Sequence, residues 1–452
     1  MRPFTLLLIL LASAPALAQL PPRIILGPSD NIAIDQPRVA VGLEDPVTGH
    51  FLGPDFANSW LLDTGANGML AGETAVDEMM YEGYRTEGTF TEQGIGLPVE
   101  LDVSAVYDVY YAGSDNAALA IPGSRILSHP EADYGGFGGV MGMPAMIGRT
   151  VSLDLAGMIA PDSELGFEYI NVAFGSSVPA SAGHRYQVPL SLQSWPTGTG
   201  VVPTYAPIPF VQVQARNGTH RVNSGFVVDT GAQLSGISTQ MALDLGLDTD
   251  GDGDLYDETD TFVPITGVSG TVELPVLQVP RLAVMTSQGV ELVWTDLEVI
   301  VADVDESIGG IFGMDLLASG WAEPVLEQII YGSTDKTGYA QRVHFDFRNS
   351  QSASLTLDLS APYDQLLHGG DANGDGIVNI GDLGILAGHW GQTGMTWLEG
   401  DFNDDQAVNI GDFGVMAGAW GQTFGGSALP EPSAALVLAA GWFAGLLRRR
   451  AR

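Results

Sequence analysis

Leu61-Leu62-Asp63-Thr64-Gly65-Ala66 and Val227-Val228-Asp229-Thr230-Gly231-Ala232 are two copies of one phrase, set 166 residues apart. In each, an apolar pair runs into Asp-Thr-Gly-Ala. That reads as a buried strand entering a tight turn with a carboxylate at the turn. One copy says little. Two predict a pair of lobes that each bring one Asp to a shared cleft.

The surrounding text repeats in the same order. Thr89-Phe90 and Gly94-Ile95-Gly96 resemble Thr261-Phe262 and Gly267-Val268-Ser269-Gly270. Gly138-Gly139-Val140-Met141-Gly142-Met143 matches Gly309-Gly310-Ile311-Phe312-Gly313-Met314, and Val151-Ser152-Leu153-Asp154-Leu155 resembles Val343-His344-Phe345-Asp346-Phe347. Offsets of 166 to 192 residues indicate a duplicated domain, because solenoid repeats have far shorter periods.

The two Asp-Thr-Gly-Ala turns, with Val140-Met141-Gly142 and Ile311-Phe312-Gly313 as their partner segments, resemble a bilobal aspartic peptidase related to the pepsins and retroviral-type proteases. The resemblance implies a mainly β fold of two pseudo-symmetric lobes, about 24–190 and 208–360, joined by a Pro-, Gly- and Thr-rich connection at 191–207. It implies that Asp63 and Asp229 share one proton and activate water against a peptide or protein substrate without a covalent intermediate. Thr64 and Thr230 are expected to cross-brace the turns, while Gly65 and Gly231 let backbone N–H groups approach the carboxylates. Pepsins carry Ser or Thr where this chain has Ala66 and Ala232. With that donor missing, the expected pH optimum is less acidic than theirs. Glu87 to Val106 is the candidate hairpin over the cleft. Tyr81, Tyr84 and Phe90 lie in or near it but do not match the flap aromatic and are read as packing residues. The alternative is a non-catalytic surface protein that binds peptide or docks to a scaffold.

Composition narrows the classes. There is no Cys, so disulfides, thiol nucleophiles and thiolate metal sites are excluded. Fifty-four acidic residues against 17 basic ones give a net charge of −37, which disfavours nucleic acid as a partner. The seven His show no metal-ligand spacing, and no Gly-x-Ser-x-Gly turn stands beside a suitable strand.

The ends carry other signals. Residues 1–18 read as a secretory signal, with Arg2, an apolar Phe4–Leu11 core and a small-residue site at Ala16-Leu17-Ala18. In the second lobe, Ser238 to Leu247 has helical spacing. Asp248 to Asp254 alternates Asp with other residues like the start of a calcium loop, but Tyr256 and Thr259 fall at the ninth and twelfth positions, where they are poor ligands.

At 371–422 a clearer repeat appears. Asp371, Asn373, Asp375, Ile377 (through its carbonyl), Asn379 and Asp382 occupy the ligand positions of one calcium loop; Asp401, Asn403, Asp405, Ala407 (carbonyl), Asn409 and Asp412 occupy those of another 30 residues on. Each runs into a short helix, with Leu383, Leu386 and Trp390, or Phe413, Met416 and Trp420, as its apolar face. The segment resembles a dockerin module, which implies Ca2+ and a cohesin-type scaffold partner. Gln406 stands at the sixth position of the second loop, where Gly takes the sharp turn freely, so that loop is expected to bind calcium more weakly. Dockerins often accompany carbohydrate-degrading enzymes, yet no glycosidase site is legible here.

Finally, Pro430-Glu431-Pro432, a 15-residue apolar run (433–447) and Arg448-Arg449-Arg450-Ala451-Arg452 resemble a PEP-CTERM sorting signal at 430–452. The run is short for a bilayer span. The resemblance implies an exported bacterial envelope protein whose tail touches the membrane transiently and is processed by an exosortase.

Overall fold

Period-two burial is clearest in the strand Tyr107–Ala112, where Tyr107, Val109 and Tyr111 are buried and the residues between them are half-buried. Strands of this kind are the commonest element among the described residues. The computed structural model describes residues 20–424 apart from 29–30, 34, 94–97, 130–135, 160–168, 182–183, 195–199, 268–269, 306, 319–321, 325–338 and 361–364. The expected secretory signal (1–18) and sorting tail (430–452) lie outside the described residues. The chain divides into one unit over Arg23–Gln365 and another that includes everything from Leu366 onward.

In the larger unit the first lobe is a ten-stranded sheet. At its centre Arg38–Glu44, Ser59–Leu62, Gly139–Met141 and Met69–Ala71 lie side by side. The second lobe repeats this plan with Ile208–Asn217, His220–Val228, Gly310–Phe312 and Gly236–Ile237. There Gly270–Met285 also pairs with Glu291–Val301, which closes the sheet on itself. Trp60 fills the first core without exposure. In the second, Trp294 meets Phe312 edge-on at 5.3 Å.

A five-stranded sheet draws on both halves. Thr150–Ile159 and Ala340–Asp346, the two copies of the last sequence repeat, pair antiparallel with Leu153 opposite Val343. A local twofold relation between the halves follows from that register.

The structure corrects one boundary. Residue 24 does not open the first lobe: Arg23–Pro28 pairs parallel with Glu291–Val301, and Asn31–Ala33 pairs with Ala322–Pro324, both in the second half. Burial of Ile24 and Leu26 marks a strand, but alternation does not name the sheet it joins. The connection at 191–207 is anchored to both lobes through its described residues. Ser191–Gln193 pairs with Ile208–Asn217, Val201 N donates to Thr89 O at 3.0 Å, and Ala206 N donates to Asn67 O at 2.8 Å. Backbone amides that leave water need partners, and these found them in the neighbouring lobes.

The smaller unit has two loop-helix copies, with helices Ile380–Gly388 and Ile410–Ala419. Each starts with a reciprocal capping box, Asn379 with Asp382 and Asn409 with Asp412. Each loop also bonds to the segment after the other copy's helix: Gly391 N to Val408 O at 2.8 Å, and Gly421 N to Val378 O at 2.9 Å. Val378, Val408, Leu386 and Met416 form its interior. The expectation that Trp390 and Trp420 lie on the apolar faces of these helices is corrected: both fall beyond the helix ends and are about half exposed. No helix among the described residues is long and apolar enough to cross a membrane.

Candidate active site

The strand Ser59–Leu62 delivers Asp63, and His220–Val228 delivers Asp229. Behind each turn, the later apolar-Gly segment runs parallel to the delivering strand. Asp63 N donates to Met141 O, and Asp229 N donates to Phe312 O, both at 3.0 Å. A Cβ on Gly142 would sit 2.1 Å from Gly68 O, so only glycine lets this segment thread beneath the turn.

The two turns are locked together by their threonines. Thr64 Oγ1 donates to Val228 O at 2.6 Å and accepts from Thr230 N at 3.0 Å. Thr230 Oγ1 donates to Leu62 O at 2.6 Å and accepts from Thr64 N at 3.1 Å. Both side chains are fully buried. Every donor and acceptor in this brace is used.

Each carboxylate is gripped by its own turn. Asp63 Oδ1 accepts from Gly65 N (2.7 Å) and Ala66 N (3.1 Å), and Asp229 Oδ1 accepts from Gly231 N (2.7 Å) and Ala232 N (3.1 Å). The turns also leave room for the opposite acid. A Cβ at Gly65 would fall 2.6 Å from the Asp229 carboxyl carbon, and one at Gly231 would fall 2.6 Å from that of Asp63. The two side chains are hydrogen-bonded to each other. Burial, then the charge of Asp229 and the bond to it, push the Asp63 carboxyl well above the usual range. Burial also raises Asp229, but the bond from Asp63 and its two N–H donors offset part of that. Burial raises both carboxyls, so the two titrate as a pair that holds one proton between them.

All six residues expected at this site, Asp63, Thr64, Gly65, Asp229, Thr230 and Gly231, come together. Two other parts were not legible in the sequence. Asp315, fully buried beneath the second turn, accepts from Ser235 Oγ at 2.5 Å and Ser235 N at 3.0 Å, and burial pushes its pKa up to about 7. Ser235 Oγ in turn accepts from Gly313 N at 2.9 Å. The one available signal was a break in the repeat, since Pro144 stands where the second copy has Asp315. The other part is Gln36, whose Nε2 donates across the lobes to the carbonyl of Gly231. Of the flap-region aromatics, Tyr84 and Phe90 are buried packing residues, with Tyr84 stacked on Tyr107 at 5.6 Å, and Tyr81 is exposed. The candidate hairpin is real as Thr86–Gln93 paired with Pro98–Ser104; its tip lies outside the described residues.

In the smaller unit the expected ligand residues lie on two similar loops, each ahead of a helix. Asp371 is fully buried; its Oδ2 accepts from Gly376 N at 2.8 Å, while Oδ1 has no partner. Asn373 and Asp375 turn the loop, Asn379 caps the helix, and Asp382 accepts from Ala372, Asn373 and Asn379 N–H groups. In the second copy Asp401, Asp405 and Asp412 bring carboxylate oxygens within 4.8 Å of one another. Asn403 and Asn409 repeat the roles of their counterparts. Burial, then the charges of Asp404 and Asp412, push Asp401 up to about 7. The carbonyls of Ile377 and Ala407 are held by the Asn379 and Asn409 amides at 3.1 and 3.0 Å. An all-oxygen set with an orphaned buried carboxylate oxygen fits a hard cation such as Ca2+. Asp248, Asp250 and Asp252 also converge, but the first is half-buried and the others exposed, and Asp248 is already satisfied by Gly251 and Gly253 N–H groups.

Residues 211–316 match the family model described as Aspartyl protease, a span holding Asp229, its turn and the Ile311-Phe312-Gly313 segment. No curated protein matches the chain. Among solved structures the chain is similar to an aspartic proteinase from Irpex lacteus, at 12% identity and a TM-score of 0.37, covering 73% of this chain and 98% of that one.

Proposed function

We propose that the protein is an exported aspartic-type endopeptidase whose Asp63–Asp229 pair activates water for peptide hydrolysis. The observation that carries this is the hydrogen-bonded carboxyl pair on two Thr-braced turns. Asp229, as the carboxylate, takes a proton from water, and that water attacks the peptide carbonyl. Asp63, as the acid, donates its proton to the carbonyl oxygen, which gives a tetrahedral diol; as the C–N bond breaks, the leaving amine takes the proton held by Asp229 and a diol hydroxyl returns one to the pair. The dyad needs no metal or organic cofactor in this scheme. The test is a digest of casein or a peptide library by the wild type, Asp63→Asn and Asp229→Asn. Cleavage lost in both variants supports the enzyme. No cleavage by the wild type, with peptide still bound, supports the alternative of a non-catalytic peptide-binding protein.

The smaller unit is read as a dockerin that holds Ca2+ in both loops, supported by the orphaned Asp371 oxygen and the crowded Asp401, Asp405 and Asp412. Its exposed residues repeat with the loops, Ile380 with Ile410 and Trp390 with Trp420, which suits a cohesin-type scaffold partner. Calcium titration of the full chain, with Asp371→Asn and Asp401→Asn as controls, tests the metal; capture by a cohesin domain in calcium but not in chelator tests the partner. The termini support export to a bacterial envelope and processing by an exosortase, which mass spectrometry of the mature protein would check. The charge of −37 argues against nucleic acid.

A further inference from the structure

The two halves brace each other symmetrically, yet the hydrogen bonds one step behind the two turns are not symmetric. The N–H grip on each carboxylate has the same distances on both sides, so the grip alone does not choose. The difference lies one bond further out. Gln36 Nε2 donates to Gly231 O, and that carbonyl belongs to the same peptide group as the Ala232 N–H, which donates to Asp229 Oδ1 at 3.1 Å. The result is a chain from amide to peptide to carboxylate. Hydrogen bonds in such chains polarise one another, by about 10–30% per bond.

The first lobe lacks the equivalent. Among the described residues no donor is hydrogen-bonded to the Gly65 carbonyl. The register shows why. Arg38 pairs with Leu61 as Phe210 pairs with Val227, so the counterpart of Gln36-Pro37-Arg38 is Ile208-Pro209-Phe210. Ile208 is aliphatic and donates nothing. The asymmetry is therefore written into the sequence at one pair of positions.

We propose that Gln36 is a positioning residue of the dyad: by polarising the Gly231–Ala232 peptide it sets the negative charge on Asp229 and the proton on Asp63. Other charged groups nearby have their own partners. Asp35 pairs with Arg38 at 2.8 Å and accepts from Ile170 N at 2.7 Å. Asp315, behind the second turn, is held by Ser235. The titratable groups that face each other across the turns are the two carboxyls alone, among the described residues.

The rate readout of the test rests on the peptidase reading; the spectroscopic one does not. Gln36→Met keeps the length of the side chain and removes the donor, and Gln36→Leu is a second variant in case the first does not fold. If the enzyme cleaves, the acid limb of its kcat/KM profile reports the first ionisation of the pair. The loss of polarisation should move that limb up by a few tenths of a pH unit. A plateau that falls while the limb stays in place overturns the proposal, because a merely structural role would do that. If the wild type cleaves nothing, 13C NMR of the Asp carboxyls in the full chain decides. Asp229 ionising before Asp63 in the wild type, with the gap narrowed in Gln36→Met, supports the proposal; the reverse order, or a gap unmoved by the substitution, overturns it.

Discussion

Removing one hydroxyl from the brace between the turns is the most direct test of the architecture. Thr64→Val keeps the shape of the side chain. It deprives Val228 O of its donor at 2.6 Å and Thr230 N of its acceptor at 3.0 Å, in a place with no exposure to water. Each buried group left unsatisfied costs about 1–3 kcal/mol, so the variant should lose about 2–6 kcal/mol. At roughly 2 °C per kcal/mol, the lower end of the range for domains somewhat smaller than this, Tm falls by about 4–12 °C. Thr64→Ser keeps both bonds and loses a methyl group, about 1 kcal/mol. The assay is thermal unfolding followed by circular dichroism, with peptide cleavage on the same samples. Cleavage should fall in the Val variant even where it is folded, because the turns that fix the carboxyls are no longer tied together. If Thr64→Val melts with Thr64→Ser, the brace does not hold the lobes in register and the reasoning fails.

Four shorter predictions follow from the same geometry. Gly65→Ala places a methyl 2.6 Å from the Asp229 carboxyl carbon, so the acids must part and cleavage should drop by about 100-fold or more; wild-type turnover would refute the shared proton. Asp315 is raised to about 7 when folded, so its contribution is full below the unfolded value near 4 and is lost as pH rises to 7. Asp315→Asn should abolish a decline on the order of 4 kcal/mol across that window, read as Tm against pH. Ala232→Ser offers Asp229 a further donor and should shift the acid limb of the rate profile to lower pH, as a bond to the charged form requires; an upward shift would contradict it. Gln406 holds φ at +63° where Gly376 holds +78°, so Gln406→Gly should relieve about 1 kcal/mol and tighten the second calcium site about fivefold by calorimetry. A wild-type second site already as tight as the first would refute that argument.

The duplication made the centre of the molecule legible. Asp63, Asp229 and their threonines stand in text that occurs twice, and a twofold site must use residues that occur twice. What is not duplicated was hidden. The pairing of Arg23–Pro28 with Glu291–Val301 spans most of the chain, and no local pattern carries it. Asp315 looked like any acid near a helix start until burial and Ser235 gave it a role. Gln36 lies 195 residues from the carbonyl it reaches, and polarity alone does not mark a residue that crosses a cleft. Trp390 and Trp420 follow the helical spacing of their neighbours, yet the helices end first, at Gly388 and Ala419.

A perfect twofold would still divide the tasks. Two identical carboxyls that share one proton are at any instant one acid and one base, but nothing then fixes which is which. The brace needs symmetry, because Thr64 and Thr230 must each satisfy the other's strand. A fixed assignment of acid and base needs the surroundings to differ. The chain meets both demands by conserving shape where the turns touch and varying it one layer away: Gln36 against Ile208 in front of the second turn, Asp315 against Pro144 behind it. Both departures load the second lobe with polar partners that the first lacks. On the reading proposed for Gln36, the charge sits on the half whose turn is more heavily hydrogen-bonded, an assignment that stands or falls with the order in which the two acids ionise.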